Sequence, residues 1–462
     1  MLVRLSIEIT IFLLLIVFIL VSKGASEVVI WPCLIIFYLC FIDAIRNPLV
    51  VHKDMPSYLK IDILFMMFYY IIFYMPYQAY LLEAADPNKS IFLLYTFVDA
   101  TNESIVLSTI GLLSFVLGYK KITSLPSVAR ERISYCYIPI ISLGLFLTLL
   151  VLFLFTGFSN MISNSYSGSD VGTNTENGIY FLVNHCAIFL MAVLIFLHAQ
   201  GKSRSLLWLS SAAACGIWCF ILLVFGDRNS FFIIAIVAGA GYATFIRRIP
   251  LLGMLLGIFL SMTVYNIVEV SRNMDERSIG NFIEAAMGED KTKGNYFEES
   301  SFTNTTVTSR AAIHLVPDKY DYFYGKFKFI GFMGVIPYSR SLFVGADDPY
   351  TTSAEVLTEG ILGVNSTWSL GSNIVSDIFL DFGIFGVIIL MFLAGLFGKY
   401  VELKMINHND SLKWVVIYLV VLALFAEMPR YSFDFPVRNI AWTFLLFWLY
   451  SVFFKVKTKG HR

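Results

Sequence analysis

The sequence predicts an all-α polytopic membrane protein with about twelve transmembrane helices and one large outer loop. Hydrophobic residues make up 58% of the 462 residues and charged residues only 14%, whereas soluble domains carry roughly 25% charged residues. The apolar residues occur in unbroken runs of helical length, not in the short alternating segments of an outer-membrane barrel. The basic residues (Lys and Arg) and the acidic residues (Asp and Glu) each number 33. A disordered chain is excluded because it needs low hydrophobicity and high net charge, and the balanced charge gives no sign of a nucleic-acid partner.

Each predicted helix is a run of about 15 to 24 residues with little charge, long enough to cross a hydrocarbon core of about 30 Å. Two of these runs, the fourth and the eleventh, are short. The predicted spans are 5–21, 28–45, 61–82, 104–119, 135–158, 178–198, 206–225, 230–246, 250–270, 374–397, 414–428 and 437–454.

The placement of basic residues predicts the orientation of these helices. Lys and Arg accumulate in cytoplasmic segments, and with the N-terminus inside, 19 of the 33 basic residues fall in inner segments. The short outer turns hold 5, and the remaining 9 lie in one long loop that the rule does not govern. This distribution agrees with twelve spans and two cytoplasmic termini. We expect the first span to be an uncleaved anchor, because Lys23 sits where a signal peptidase would cut.

Three regions follow from this topology. Residues 1–270 hold spans one to nine, 271–371 form the large outer loop, and 372–462 hold the last three spans and a basic cytoplasmic tail. A connector needs far fewer residues than this loop has, and long loops in compact proteins are commonly functional. Within the loop, residues 327–337 are apolar and follow four aromatic residues. They indicate either an anchor at the membrane interface or a wall that stacks on sugar rings.

Charged residues at the outer ends of the spans form the candidate site. They occur in the tight turn Gly226-Asp227-Arg228 and in two pairs at a spacing of three, Glu269 with Arg272 and Glu427 with Arg430. Each pair is either a surface ion pair worth a few tenths of a kcal/mol or part of an anion site. Several guanidinium forks at one face suit a diphosphate, because each fork donates two hydrogen bonds in a fixed geometry.

These features together resemble a known family. The turn Gly226-Asp227-Arg228, the large outer loop and a following apolar helix with Gly383 and Gly386 are similar to the O-antigen polymerases, the Wzy-type polymerases of oligosaccharide repeat units, and to the related O-antigen ligases. The resemblance covers residues 226 to about 386 and the topology. Inside the loop, the weak signals of the polymerases are matched in order by Arg310, Pro317, Tyr324-Gly325, Pro337 and Arg340.

One position separates the polymerases from the ligases. In the ligases, a His followed by Asn, Ser or Gln, nine further residues and Gly-x-x-[Gly/Thr/Tyr] ends the large loop, and the His is important for transfer. Here Ser372-Asn373, nine residues and Gly383-Ile384-Phe385-Gly386 keep the spacing, but Ser372 replaces the His. An O-antigen ligase is therefore the disfavoured alternative.

The resemblance implies an activity and its partners. Such a polymerase is a membrane glycosyltransferase that moves a growing glycan from undecaprenyl diphosphate to a hydroxyl of a fresh lipid-linked repeat unit, at the periplasmic face of the bacterial inner membrane. Its partners are undecaprenyl-diphosphate-linked glycans as donor and acceptor, membrane lipid and a chain-length regulator protein. No cofactor and no metal site is expected, because the acidic loop residues Asp347-Asp348 alone make too weak a metal signature.

Two sets of residues are predicted to carry this chemistry. The departing diphosphate is expected to meet the arginines Arg228, Arg272, Arg310, Arg340 and Arg430. The hydroxyl proton is expected to pass to His314, Asp377 or Asp381. His314 is alternatively a packed core histidine. The two aspartates share one face of the tenth span, where carboxylates are costly, and alternatively pair with arginines of neighbouring helices or line a wet cavity.

A flippase or transporter of lipid-linked oligosaccharide is the alternative from another functional class. It also needs an Arg-lined cavity, but it is expected to carry charges along the bundle interior and to keep its loops short. The predicted spans are nearly free of charge apart from Glu8, Asp62, Asp377 and Asp381. This distribution favours chemistry at the outer face.

Overall fold

The computed structural model describes residues 2–52, 55–84, 96–126, 135–157, 174–203, 205–224, 226–250, parts of 252–267, 301–336, 339, 350–364, 366 and 369–454. One antiparallel hairpin joins β1 (Leu49–His52) to β2 (Met55–Ser57). The helices are α1 (Leu2–Leu20), α2 (Glu27–Arg46), α3 (Ile61–Phe73), α4 (Met75–Leu81), α5 (Thr101–Lys121), α6 (Ile138–Thr156), α7 (Asn174–Ala199), α8 (Leu206–Val224), α9 (Arg228–Phe245), α10 (Ser301–Leu315), α11 (Lys326–Met333), α12 (Ser353–Leu362), α13 (Ile374–Asn407), α14 (Leu412–Glu427) and α15 (Phe435–Phe453).

This architecture confirms the predicted all-α polytopic membrane protein. In the described part of the chain, eight helices are long and apolar enough to cross a membrane, or nine if the bent pair α3 and α4 counts as one span. The predicted first and twelfth spans form the helices α1 and α15, which are not among these eight, and the ninth is described only in part. The total of twelve stays a prediction.

The third predicted span, 61–82, is not one straight helix. It breaks at Tyr74 into α3 and α4, which are bent by 51° from each other. Pro76 at the start of α4 is tolerated because the first turn of a helix needs no donor there. The bend turns the aromatic residues Tyr74 and Tyr77 into the bundle, where both are buried.

Burial separates central helices from peripheral ones. Nearly every residue of α5 and α14 is buried, whereas α2, α6 and α8 bury only about a third of their length. The peripheral helices expose large apolar side chains such as Leu39, Phe155 and Phe220. Because contiguous apolar surface of this kind is rare on soluble proteins, these faces fit contact with lipid chains.

The two helices α5 and α13 pack unusually closely, which fixes the centre of the bundle. A side chain on Gly118 would meet the backbone of Phe392, and one on Gly395 would meet the backbone of Phe115. Small residues that let two backbones approach are a common means of packing helices in membranes. The helix α13 is therefore held rigidly along α5, and its two ends lie at opposite ends of the bundle.

We call the end where α13 begins the outer end, following the predicted orientation, and the other the inner end. At the inner end, Lys399 lies 2.6 Å from Glu402, and Glu402 also accepts a hydrogen bond from Tyr119. Arg4 donates at 2.7 Å to the carbonyl oxygen of Lys120. The Arg4 bond joins α1 to α5, and the Tyr119 bond joins α5 to α13, at the end opposite the predicted site.

Candidate functional site

Polar side chains from separate parts of the sequence meet at the outer end. Asp227 and Arg228 stand where α9 begins, and Glu427 and Arg430 stand where α14 ends. The start of α13 lies at the same end, because the backbone N–H of Phe433 donates at 2.7 Å to Asp377. Two groups of charged residues can be distinguished there.

The first group, the arginine cluster, consists of Asp227, Arg228, Asn229, Glu427 and Arg430. Asp227, Arg228 and Arg430 are the charged groups that act on Glu427. Arg430 donates from Nη1 to Oδ1 of Asn229 at 3.0 Å, which links the end of α14 to the start of α9. The structure thus brings together two of the five predicted diphosphate-binding arginines, Arg228 and Arg430.

Burial is graded across the arginine cluster. Asp227, Arg228 and Glu427 are buried, with 2%, 4% and 4% of their surfaces exposed, and they form its floor. Asn229 and Arg430 are partly exposed and form its rim. Charged groups at such a floor act through a low dielectric, so their effect on a bound anion is larger than in water.

Asp227 holds the floor in place by capping α9. Its Oδ1 accepts from the backbone N–H of Ser230 at 3.1 Å, and its Oδ2 accepts from the Ser230 hydroxyl at 2.6 Å. The Tyr180 hydroxyl of α7 also donates to Oδ2. A capping Asp satisfies a free N–H at the helix start, so Gly226-Asp227-Arg228 presents Arg228 on the first residue of α9. Gly226 itself has φ +82°, which a glycine adopts without strain.

Glu427 differs from the other carboxylates of the outer end in its hydrogen bonding. Its Oε2 is buried and has no hydrogen-bond partner within the described part of the chain. Buried polar atoms are nearly always bonded, and an exception calls for an explanation. The oxygen lies among Arg228, Arg430 and Asp227.

The second group, the lysine dock, consists of Lys328, Asp377 and Asp381. Lys328 Nζ lies 2.6 Å from Oδ2 of Asp377 and 3.2 Å from Oδ2 of Asp381, and all three side chains are buried. Burial by itself lowers the pKa of Lys328, but Asp377 and Asp381 outweigh it, so this pKa lies above its ordinary value. The ion triad fastens α11 to the first two turns of α13.

Further donors occupy the remaining oxygens of the lysine dock. Asp377 accepts from the Ser353 hydroxyl at 2.6 Å and from the Phe433 N–H at 2.7 Å. Asp381 accepts from the backbone N–H groups of Phe327 at 3.3 Å and of the lysine at 3.0 Å. The two predicted proton acceptors on α13 are therefore fully hydrogen-bonded, and their partner is a lysine instead of the arginines that the sequence suggested.

A break in α13 completes the docking surface. Gly383 has φ +64° and ψ −159°, which is not helical, and its Cβ position faces the ring of Tyr322. The backbone N–H of Phe323 donates at 3.0 Å to the carbonyl oxygen of Leu380 in the turn before the break. Gly383 of the family-like spacing thus lies where residues 322–328 pack on α13.

The segment before α13 is also firmly held. Asn373 caps α13 and is fully buried, and its Nδ2 donates to the Thr305 carbonyl and to the Thr308 and Ser309 hydroxyls of α10 at 2.8 to 2.9 Å. Ser372 stands where the ligases have their His, and its Oγ lies 3.3 Å from Oγ of Ser353. This position carries a hydroxyl in a packed interface.

Of the remaining predicted site residues, Arg310 and His314 contact other side chains and backbone groups, and two lie outside the described part of the chain. Arg310 is fully buried in α10 and donates at 3.1 Å to the Thr96 carbonyl and at 3.3 Å to the Tyr77 hydroxyl. His314 is exposed, with its ring centroid 4.9 Å from that of Phe97, so it is not the packed core histidine of the alternative interpretation. Arg272 and Arg340, like Asp347-Asp348 and Glu269, lie outside the described residues.

Sequence reasoning missed two features of this end. Lys328 gave no signal because its neighbours are apolar and its acidic partners lie about fifty residues later. His185, inside α7, is buried and its Nδ1 lies 3.0 Å from Oδ1 of Asn439 on α15. A polar pair between two apolar spans is visible only once their packing is known. In the described residues, no group of three His, Cys, Asp or Glu is arranged to hold a metal ion.

Comparison with known proteins identifies the family of the chain. The family described as O-antigen polysaccharide polymerase Wzy matches residues 5–459. No curated protein and no solved structure matches the chain. The family match includes both charged groups of the outer end and extends beyond residues 226–386, which carry the motifs of the resemblance.

Proposed function

The chain belongs to the O-antigen polysaccharide polymerase Wzy family, and we propose that its arginine cluster binds the diphosphate of an undecaprenyl-diphosphate-linked glycan. Membership of this family makes the protein a polymerase of O-antigen synthesis that acts on lipid-linked oligosaccharides. The enzyme then transfers that glycan to a hydroxyl of a second lipid-linked repeat unit. The observation that carries this proposal is the meeting of Arg228 and Arg430 at one outer end, on a buried floor with a partly exposed rim.

The chemistry of this step matches the arginine cluster. Departure of a diphosphate from an anomeric carbon leaves negative charge on phosphate oxygens, and fixed donors aimed at that charge lower the barrier. Guanidinium groups stay charged at all working pH values and donate in pairs to phosphate oxygens. Arg228 is oriented by the capped start of α9, where the helix dipole also favours an anion. The site therefore needs little reorganisation when the charge develops.

We assign the lysine dock a positioning role in the same enzyme. Its carboxylates are occupied by Lys328, Ser353 and backbone N–H groups, so they fix α11 and the preceding aromatic turn against α13. The residues of this turn, Tyr322 and Tyr324, are partly or largely exposed. They are available to stack on sugar rings of a glycan that enters beside the arginine cluster.

We further propose that the outer end faces the periplasm, in a protein of the inner membrane with both termini in the cytoplasm. The support is the sorting of basic residues along the sequence. Arg4, Lys120 and Lys399 gather at the inner end, as this orientation requires. The chain-length regulator remains a partner predicted from the family resemblance.

A gel of lipopolysaccharide from a strain that lacks the gene tests the proposal. We expect the ladder of long chains to vanish and a single repeat unit to remain on the core, because ligation of unpolymerised units continues. Loss of a flippase or of a ligase would leave the core without any unit. A core without the single unit would therefore contradict the polymerase and support one of these alternatives. Complementation with the wild-type gene restores the ladder in the matched control.

A further inference from the structure

Glu427 stands at the centre of the arginine cluster, at the last residue of α14. Its side chain is 4% exposed, and its Oε2 has no hydrogen-bond partner among the described residues. The charged groups that face it are Arg430 from its own end of the bundle and Asp227 and Arg228 from α9. A hydrogen-bond acceptor is thus held open beside the proposed diphosphate site.

Three other buried carboxylates of this end offer no such open oxygen among the described residues. Asp227 accepts from Ser230 with both oxygens and from Tyr180 with one. Asp377 and Asp381 each accept hydrogen bonds with both oxygens inside the lysine dock. Of the four carboxylates compared, Glu427 alone has an oxygen available to accept a proton from a bound substrate.

We propose that Glu427 is the general base of the polymerisation, a proposal that rests on the proposed function of the arginine cluster. The acceptor hydroxyl oxygen forms a bond to the anomeric carbon of the donor glycan, and the bond from that carbon to the diphosphate oxygen breaks. The electron pair of the broken bond stays on the diphosphate. The hydroxyl proton moves to Oε2 of Glu427 and then to water at the partly exposed rim near Asn229 and Arg430.

The charges of the cluster favour this transfer. A diphosphate brings further negative charge to a buried floor that already holds Asp227 and Glu427. A neutral carboxylic acid at Glu427 is a better neighbour for the charge that grows on the diphosphate than a carboxylate is. Proton transfer to Glu427 and departure of the diphosphate therefore assist each other.

The test uses the full-length protein in lipid nanodiscs with the native lipid-linked repeat unit, extracted from the deletion strain that accumulates it. Gln has the shape of Glu but is a far weaker base, so we expect Glu427→Gln to lower the turnover number about 10² to 10⁴ fold. Affinity for added undecaprenyl diphosphate, measured by its inhibition of binding of a labelled lipid, should change less than threefold. Glu402→Gln, which alters a buried carboxylate of the inner end, is the matched control and should polymerise at the wild-type rate.

The outcomes separate a proton acceptor from a group that only orients the arginines. If Glu427→Gln loses affinity for the lipid as well as turnover, the proposal is overturned. Normal turnover in this variant overturns it too. Glu427→Ala is the second variant, because formate can enter the space it leaves. Recovery of turnover with added formate supports the general base, and no recovery overturns it. Wild-type protein that makes no ladder from the repeat unit would instead reject the proposed function itself.

Discussion

The arginine cluster and the lysine dock lie at the same end of the bundle and both bury carboxylates, but they are bonded differently. In the lysine dock every oxygen of Asp377 and Asp381 meets a donor, and Lys328 is enclosed with them. In the arginine cluster Glu427 keeps one oxygen without a hydrogen-bond partner among the described residues, and the rim is partly exposed.

This difference underlies the separate roles that we propose for the two groups, catalysis in the arginine cluster and positioning in the lysine dock. A buried ion pair with complete hydrogen bonding adds little net stability over apolar packing, but it specifies how two segments fit. A buried carboxylate with an open oxygen is costly, and such costs are commonly found at functional sites. We therefore infer the role of each buried carboxylate from the number of donors that bind its oxygens.

The largest effect is expected from breaking the lysine dock. Lys328→Met removes the cation and leaves two buried carboxylates without it, which typically costs about 3–5 kcal/mol. We expect the amount of folded protein in the membrane to fall severalfold, as measured by fluorescence-detected size exclusion of a tagged protein. Lys319→Met, at an exposed position before the same helix, is the control. Normal abundance with lost polymerisation in Lys328→Met would show instead that the dock takes part in catalysis.

The next effect tests the arginine cluster. Arg228→Ala removes a donor that we propose to bind the diphosphate, and loss of one donor of this kind typically lowers the rate about 10² to 10³ fold. Arg228→Lys should also shorten the ladder, because an ammonium group keeps the charge but not the paired donors. Both ladders are compared at equal protein abundance with that of Arg247→Ala, an exposed arginine of the inner end. An unchanged ladder in Arg228→Ala would remove this residue from the site.

The sequence predicted the helices well and the contacts between them poorly. Helices such as α2, α6 and α8 follow from apolar runs of sufficient length, because the lipid core imposes that length locally. The bend at Tyr74 was missed, since nothing in the apolar run 61–82 marks it except Pro76, which helix starts tolerate.

The candidate site was predictable only in part, because it depends on contacts between distant residues. Arg228 and Arg430 were selected for their places at helix ends, which the topology supplies. Arg310 bonds Thr96 and Tyr77, which lie more than two hundred residues away in the sequence. The location of Arg310 therefore could not be predicted from its own sequence neighbours. Whether an oxygen of Glu427 lacks a hydrogen-bond partner depends on every donor packed around it. That packing cannot be read from the sequence.

The smallest effect is expected at Asp434, a third carboxylate that acts on Lys328 of the lysine dock. Asp434 packs so closely on α11 that a side chain at Gly331 would meet its carboxylate. Its pKa is raised, first by burial and then by the carboxylate of Asp377, while Lys328 opposes the shift. A carboxyl group with a raised pKa binds its proton more tightly in the folded protein than in the unfolded chain. Ionised Asp434 therefore costs stability at neutral pH, and this cost fades as the pH falls towards the ordinary value of 3.8.

Asp434→Asn mimics the protonated carboxyl group and should remove this cost. We expect its Tm in detergent to exceed that of the wild type at pH 7 and the difference to shrink as the pH is lowered towards about 4. Asp318→Asn, at an exposed position, should show no such pH-dependent difference. A lower Tm at pH 7 in Asp434→Asn would mean that the ionised carboxylate is needed to hold Lys328. The dock would then be a cluster of three carboxylates around one lysine, in which each negative charge contributes to the fit of α11 on the bundle.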